Sequence, residues 1–259
     1  MRPAGSTKRW VVTLAERKPW ERRDQVLALE LYARTPFGRM HRGNPDVIKL
    51  AERLGRTPSS VAMKLANFAS LDETLNRTGL QGASKADREI WDEFFADPER
   101  FLESAQSILM SEGEWPTRDE DSEPLEFREG EDTLRTVRVR KSQSAFRAMV
   151  LSAYNSRCAL TGIELPEVLI ASHIIPWSKN EKLRLDPRNG ICLNSLHDRA
   201  FDKGLITLNN DLTVRCSPKL VVPNDIRGLF EGRIATAPEK FHPLPEYLEY
   251  HRDEVFEAA

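Results

Sequence analysis

The side chains of this chain that could do chemistry concentrate in residues 172–204, as SHIIPW, LDPRNGICL and LHDRAFDKG in that order. His173 ends an apolar, β-branched run and stands just before Pro176-Trp177, where a side chain is fixed yet accessible. An imidazole titrates near neutrality, with an unperturbed pKa of about 6.5, so His173 suits proton abstraction. Hydrolysis of a phosphodiester needs such a base, a cation for the charge growing on the phosphate and leaving oxygen, and something to hold the base still. One histidine at a strand end and another on a nearby helix, clamped by a short loop, meet those needs. Taken alone, His173 reads more readily as a core histidine bonded to backbone; the ordered segments around it reverse that and favour the chemical reading.

These segments resemble the HNH endonucleases, and most closely the branch in which HI-x-P, NG-x-x-L and H-x-x-x-FD-x-G follow one another. The upstream CALTG and the late YLEYHRDEVF, which closes the domain in these proteins, extend the resemblance over roughly residues 133–259. It implies two strands and a helix around one metal ion, here magnesium, manganese or another transition metal. It implies catalytic roles for three residues: His173 as general base, Asn189 as the residue that pins the loop and so orients the base, and His197 as the helix histidine that binds metal. Asp202 is then a second ligand or a residue that orients His197. Gly190 is expected as the turn glycine after Asn189. One position departs from the pattern: many members carry a metal-binding acid or histidine just before the base, where this chain has Ser172. The metal is then held by His197, Asp202, water and phosphate, or Asp186 or Asp198 joins them.

The implied substrate is double-stranded DNA. The net charge of −2 conceals a local basic excess: residues 133–220 carry fourteen Lys and Arg against seven Asp and Glu. Arg184, Arg188, Arg199 and Lys203 surround the motif and read as phosphate clamps or as solvated surface charge; Trp177 packs the loop.

Several elements must position these residues. Thr136–Arg140 alternates like a strand, and Ser144–Tyr154 has helical spacing. Leu169–Ile174, Leu205–Leu208 and Leu212–Val214 read as strands. Residues 111–132, with ten acids, two arginines and two prolines, read as a linker. Residues 1–110 read as all-helical. Pro19 and the pairs Asn44-Pro45 and Thr57-Pro58 open helices, and Ser84 caps a further one. The helices meeting at Gly55-Arg56-Thr57 look like a helix-turn-helix. The second would expose Ser59, Ser60, Lys64 and Asn67, with Lys64 and Asn67 meeting DNA. A plain helical bundle, or a module that binds a protein partner, fits the same pattern.

The expected fold class is therefore α+β: an N-terminal helical domain (1–110), an acidic linker (111–132) and a C-terminal nuclease domain (133–259). Three cysteines without a C-x-x-C pair exclude a four-cysteine zinc site and argue against a secreted disulfide framework. No apolar run approaches a membrane span, and the reading is cytoplasmic. Restriction of foreign DNA is the biological role the resemblance suggests, and a homodimer would let one site per chain cut both strands. The alternative, favoured by Ser172, is a non-catalytic DNA-binding or regulatory protein that retains the fold. An RNA-cutting toxin would be expected to be far more basic.

Overall fold

The structure is a computed structural model, which describes residues 18–75, 82–111 and 131–257, with backbone only for 131–140. Most of the acidic segment, 112–130, lies outside the described residues. Five helices come first: α1 (Arg22–Arg34), α2 (Pro45–Arg53), α3 (Pro58–Ala69), α4 (Lys85–Ala96) and α5 (Pro98–Ser111). Then follow α6 (Glu131–Ala153), β1 (Leu169–His173), β2 (Gly190–Asn194), α7 (Ser195–Asp202), β3 (Ile206–Leu208), β4 (Val214–Cys216), α8 (Asn224–Arg227) and α9 (Pro245–Glu254). Two antiparallel hairpins, β1–β2 and β3–β4, are the sheets of the described residues. No helix among them is long and apolar enough to cross a membrane.

The caps read from the sequence form. Asn44 Oδ1 accepts from the Asp46 N–H, Thr57 Oγ1 from the Ser60 N–H, and Ser84 closes a capping box with Asp87. Gly55 ends α2 at φ 60°, a conformation costly for a side chain bearing Cβ. Nearly the whole of α1 is buried, and α3, α4 and α5 pack around it.

Three expectations are corrected. Thr136–Arg140 is helical, within α6. No glycine or proline interrupts residues 131–153, so the helix that carries Phe146 continues backward through the alternating stretch. Lys64 is not exposed on the second helix, contrary to expectation. It is 4% exposed, and its Nζ donates to Asp87 Oδ1 at 2.7 Å, beneath the Trp20 ring. Ser59 and Met63 are the exposed residues of that helix, and Asn67 is half-buried. Periodicity placed Lys64 outside because a lysine is rarely buried; the Asp87 carboxylate supplies the partner that permits it. Arg188, the third, belongs to the site.

The helical part and the later part share a core. Ser152 Oγ donates to the Ala33 carbonyl at 2.9 Å. Lys240, wholly buried, donates to the Ala33 and Thr35 carbonyls at 3.0 and 2.8 Å, satisfying acceptors at the end of α1. Phe241 follows it among Tyr32, Trp91, Phe94 and Phe95.

Candidate active site

In β1–β2, His173 pairs with Gly190 and Ser172 with Ile191. Alternation along β1 sends neighbouring side chains to opposite faces. The His173 ring stacks on Phe146 of α6, with centroids 3.8 Å apart and planes 11° apart, and Trp177 meets it edge-on at 5.5 Å. Gly190 permits this approach. A Cβ there would lie 2.3 Å from Val150 Cγ2 and 2.9 Å from Phe146 Cζ. Its φ of −128° is extended, so closeness to α6, rather than the turn expected of it, calls for glycine.

His173 Nε2 lies 3.0 Å from the Arg184 carbonyl, which can only accept, so the proton sits on Nε2 and Nδ1 carries the lone pair. Burial pushes the His173 pKa below its usual value, opposed by the Arg184 carbonyl. The ring is thus neutral near pH 7, oriented at one nitrogen and basic at the other.

Asn189 holds the segment 174–189 closed. Its Oδ1 accepts from the Ile175 N–H at 2.8 Å, and its Nδ2 donates to the carbonyls of Ile175 and Leu183 at 3.1 and 3.2 Å. Asp186, also buried, accepts from the Arg188 backbone N–H and guanidinium and from the Tyr247 hydroxyl at 3.0 Å. Arg188 also stacks over Phe95 of α4 at 4.0 Å. It is committed inside the protein rather than held out as a phosphate clamp, and Asp186 is equally taken. The sequence offered no signal of either pairing, because Phe95 and Tyr247 are remote in the chain.

Arg184 is half-buried. Its Nε donates to the Trp177 carbonyl at 3.0 Å, and its guanidinium lies 3.2 Å from Glu181. Arg199 on α7 and Lys203 just after its end are exposed.

His197 is 1% exposed. Its Nε2 meets the Leu229 carbonyl at 2.9 Å and its ring lies edge-on to Phe230, while its Nδ1 lacks a hydrogen bond of sound geometry. Asn194 caps α7 by accepting from the His197 N–H. Burial raises the Cys158 pKa, but the His197 side chain, Thr161 and nearby N–H groups outweigh it and bring the thiol down to about 6. His197 and Asp202 do not converge. The first faces the core and the second is exposed, and no group of three or more His, Cys, Asp or Glu among the described residues is arranged to hold a metal.

Asp198 and Asp202 are four apart on α7 and share a face. Burial raises both pKa values; Asp198 raises that of Asp202 further, while Arg199 and Lys203 lower it. Ser172, 2% exposed, has no hydrogen-bond partner of sound geometry, yet lies close enough to Asp198 to favour its charge.

A strand ending in an oriented histidine, an asparagine-stapled loop and a following helix lie together on one stretch of chain. Residues 158–209 match the family model described as HNH endonuclease. A comparison with curated proteins found no match.

Proposed function

We propose that the protein is a metal-dependent DNA endonuclease in which His173 is the general base. The observation that carries this reading is the state of His173: neutral, fixed through Nε2 on the Arg184 carbonyl, packed on Phe146, with Nδ1 left as a lone pair. A water at Nδ1 would lose its proton there as it attacks phosphorus, giving a charged imidazolium between Phe146 and Trp177. Asn189 acts through the loop: by holding Ile175 and Leu183 it fixes the Arg184 carbonyl that orients the base. A divalent cation, when bound, stabilises charge on the phosphate and the leaving oxygen. Arg199 on α7 and Lys203 just after it, both exposed, and Arg184 above the loop supply positive charge for a duplex backbone. Defence against foreign DNA is the role we infer by analogy with the family.

Plasmid cleavage with magnesium or manganese tests this reading, with His173→Ala as control and RNA in parallel. Loss of a general base typically costs about 10²–10⁴-fold in rate. Equal cleavage by the pure variant would sink the assignment. Ser172 supports one other reading, a DNA-binding protein that keeps the fold without cutting. Duplex binding with no cleavage in either metal would select it.

A further inference from the structure

The Arg184 carbonyl that orients His173 lies on a loop, and a loop carbonyl stays put only where the residues on both sides of it are tied. On one side is Leu183, whose carbonyl accepts from Asn189 Nδ2 at 3.2 Å and from the Asp186 N–H at 3.3 Å. On the other is Asp186, 1% exposed. Its carboxylate caps the turn Pro187–Asn189 by accepting from the Arg188 N–H at 2.9 Å. It also accepts from Arg188 Nε at 3.0 Å, from Arg188 Nη2 at 2.8 Å and from the Tyr247 hydroxyl at 3.0 Å.

The loop is backed from outside the segment that carries the base. A guanidinium has in-plane donors for a carboxylate and a flat face for an aromatic ring, and Arg188 uses both. Its guanidinium carbon lies 4.0 Å over the ring of Phe95 on α4. The ring is half-buried and held in its turn. Phe94 meets it edge-on at 4.8 Å, Trp91 at 5.1 Å and Phe241 at 5.9 Å. The next helix, α5, packs against Glu181–Leu183. The helical part thus touches the loop on both sides of Arg184.

Resting on the nuclease reading, we infer that Phe95 is a positioning residue for the His173 base, so that the helical part sets how well the nuclease part cuts. The contacts run from Phe95 to Arg188, from Arg188 to Asp186, through two peptide units to the Arg184 carbonyl, and from there to His173 Nε2 at 3.0 Å. Without the ring, Arg188 is free to turn toward water. The buried Asp186 carboxylate then loses its cation, and the loop must shift to bring in water or another donor. A base displaced by a fraction of an ångström loses rate while substrate binding is largely kept.

Phe95→Leu in the full chain tests this, because it keeps apolar bulk and removes the ring. Its kcat is expected to fall about tenfold or more with KM within about threefold of wild type. Phe95→Tyr, which restores the ring, is expected to bring kcat back to within about threefold. Arg188→Lys keeps the charge beside Asp186 but not the flat fork, and should lower kcat as Phe95→Leu does; it reads the same contact if Phe95→Leu fails to fold. A second measurement needs neither DNA nor metal. Exchange of the His173 Nε2 proton with water, followed by NMR, should be about tenfold faster in Phe95→Leu. The His251 ring, held on the Phe201 carbonyl at 3.2 Å, should keep its wild-type rate, which separates a loosened loop from general unfolding. Unchanged exchange at His173 overturns the proposal, and so does faster exchange in a folded variant that cuts at the wild-type rate. Faster exchange in Phe95→Leu of a protein that never cuts DNA leaves the coupling standing and the nuclease reading fallen. Cleavage that depends on His173, with exchange indifferent to Phe95, does the reverse.

Discussion

Asn189 grips both sides of the Ile175 peptide backbone, accepting from its N–H at 2.8 Å and donating to its carbonyl at 3.1 Å. A side-chain amide has this complementary pair of groups, and a carboxylate of the same shape does not. Asn189→Asp would set an oxygen against the Ile175 and Leu183 carbonyls, and Asn189→Ala would leave buried groups unpaired. Either change should cost about 2–4 kcal/mol in chemical denaturation. Loosening the Arg184 carbonyl that orients His173 should lower the cleavage rate on the order of 10²-fold. A rate loss with KM nearly unchanged would mark Asn189 as a positioning residue. Full activity in Asn189→Ala would refute the role.

Gly190→Ala should destabilise the protein by about 1–3 kcal/mol, the usual cost of overpacking. The new methyl group would meet Val150 Cγ2 and Phe146 Cζ, both nearer than 3 Å. Because the obstacle is a neighbouring side chain and not backbone strain, Val150→Ala in the same chain should return part of the loss. Thermal melts of the single and double variants measure this coupling. Additive losses would contradict the close-approach account.

The cleavage rate should fall on acidification with a midpoint below the ordinary histidine value of about 6.5. Burial depresses the His173 pKa, so the active neutral ring survives to lower pH. A midpoint above 6.5 in a kcat/KM profile would argue against His173 as the titrating base.

Stability should also weaken on acidification, for a related reason. His251, between Thr207 Oγ1 at 2.8 Å and the Phe201 carbonyl at 3.2 Å, is pulled down to about 4, mainly by burial. The unfolded chain therefore binds this proton first, and stability present above pH 6.5 is lost as pH falls toward 4. The loss attributable to His251 is about 3 kcal/mol. Asp198 and Asp202, with raised pKa values, act in the opposite direction at lower pH. His251→Gln should flatten the fall between pH 6.5 and 4 in denaturant titrations, and an unaltered slope would exclude the assignment.

Lys64→Ala should unfold the helical part rather than change DNA binding. Asp87 is 0% exposed and would be left with Gln25 and the Ser84 cap but without its cation. Breaking such a buried pair costs about 3–5 kcal/mol. Among variants that stay folded, the salt dependence of duplex binding should match wild type. A slope reduced by about one unit would mean that Lys64 does reach a phosphate.

The local signals held where chemistry is local. Asn44, Thr57 and Ser84 cap the helices their sequence context announced, and Leu169–His173 is a strand, because caps and side-chain alternation depend on a few consecutive residues. The order of His173, Asn189 and His197 was enough to suggest the family. What these side chains do was decided by distance in space. Helical spacing alone cannot say which face of α7 meets the core; the Leu229 carbonyl and Phe230 turn His197 inward and leave Asp198 and Asp202 on another side. Lys64 and Lys240 are charged residues that any pattern places at the surface, and only Asp87 and the end of α1, remote in sequence, account for their burial. Thr136–Arg140 satisfied a strand pattern, yet strands need partners and a helix needs only its own backbone, so the stretch joined α6.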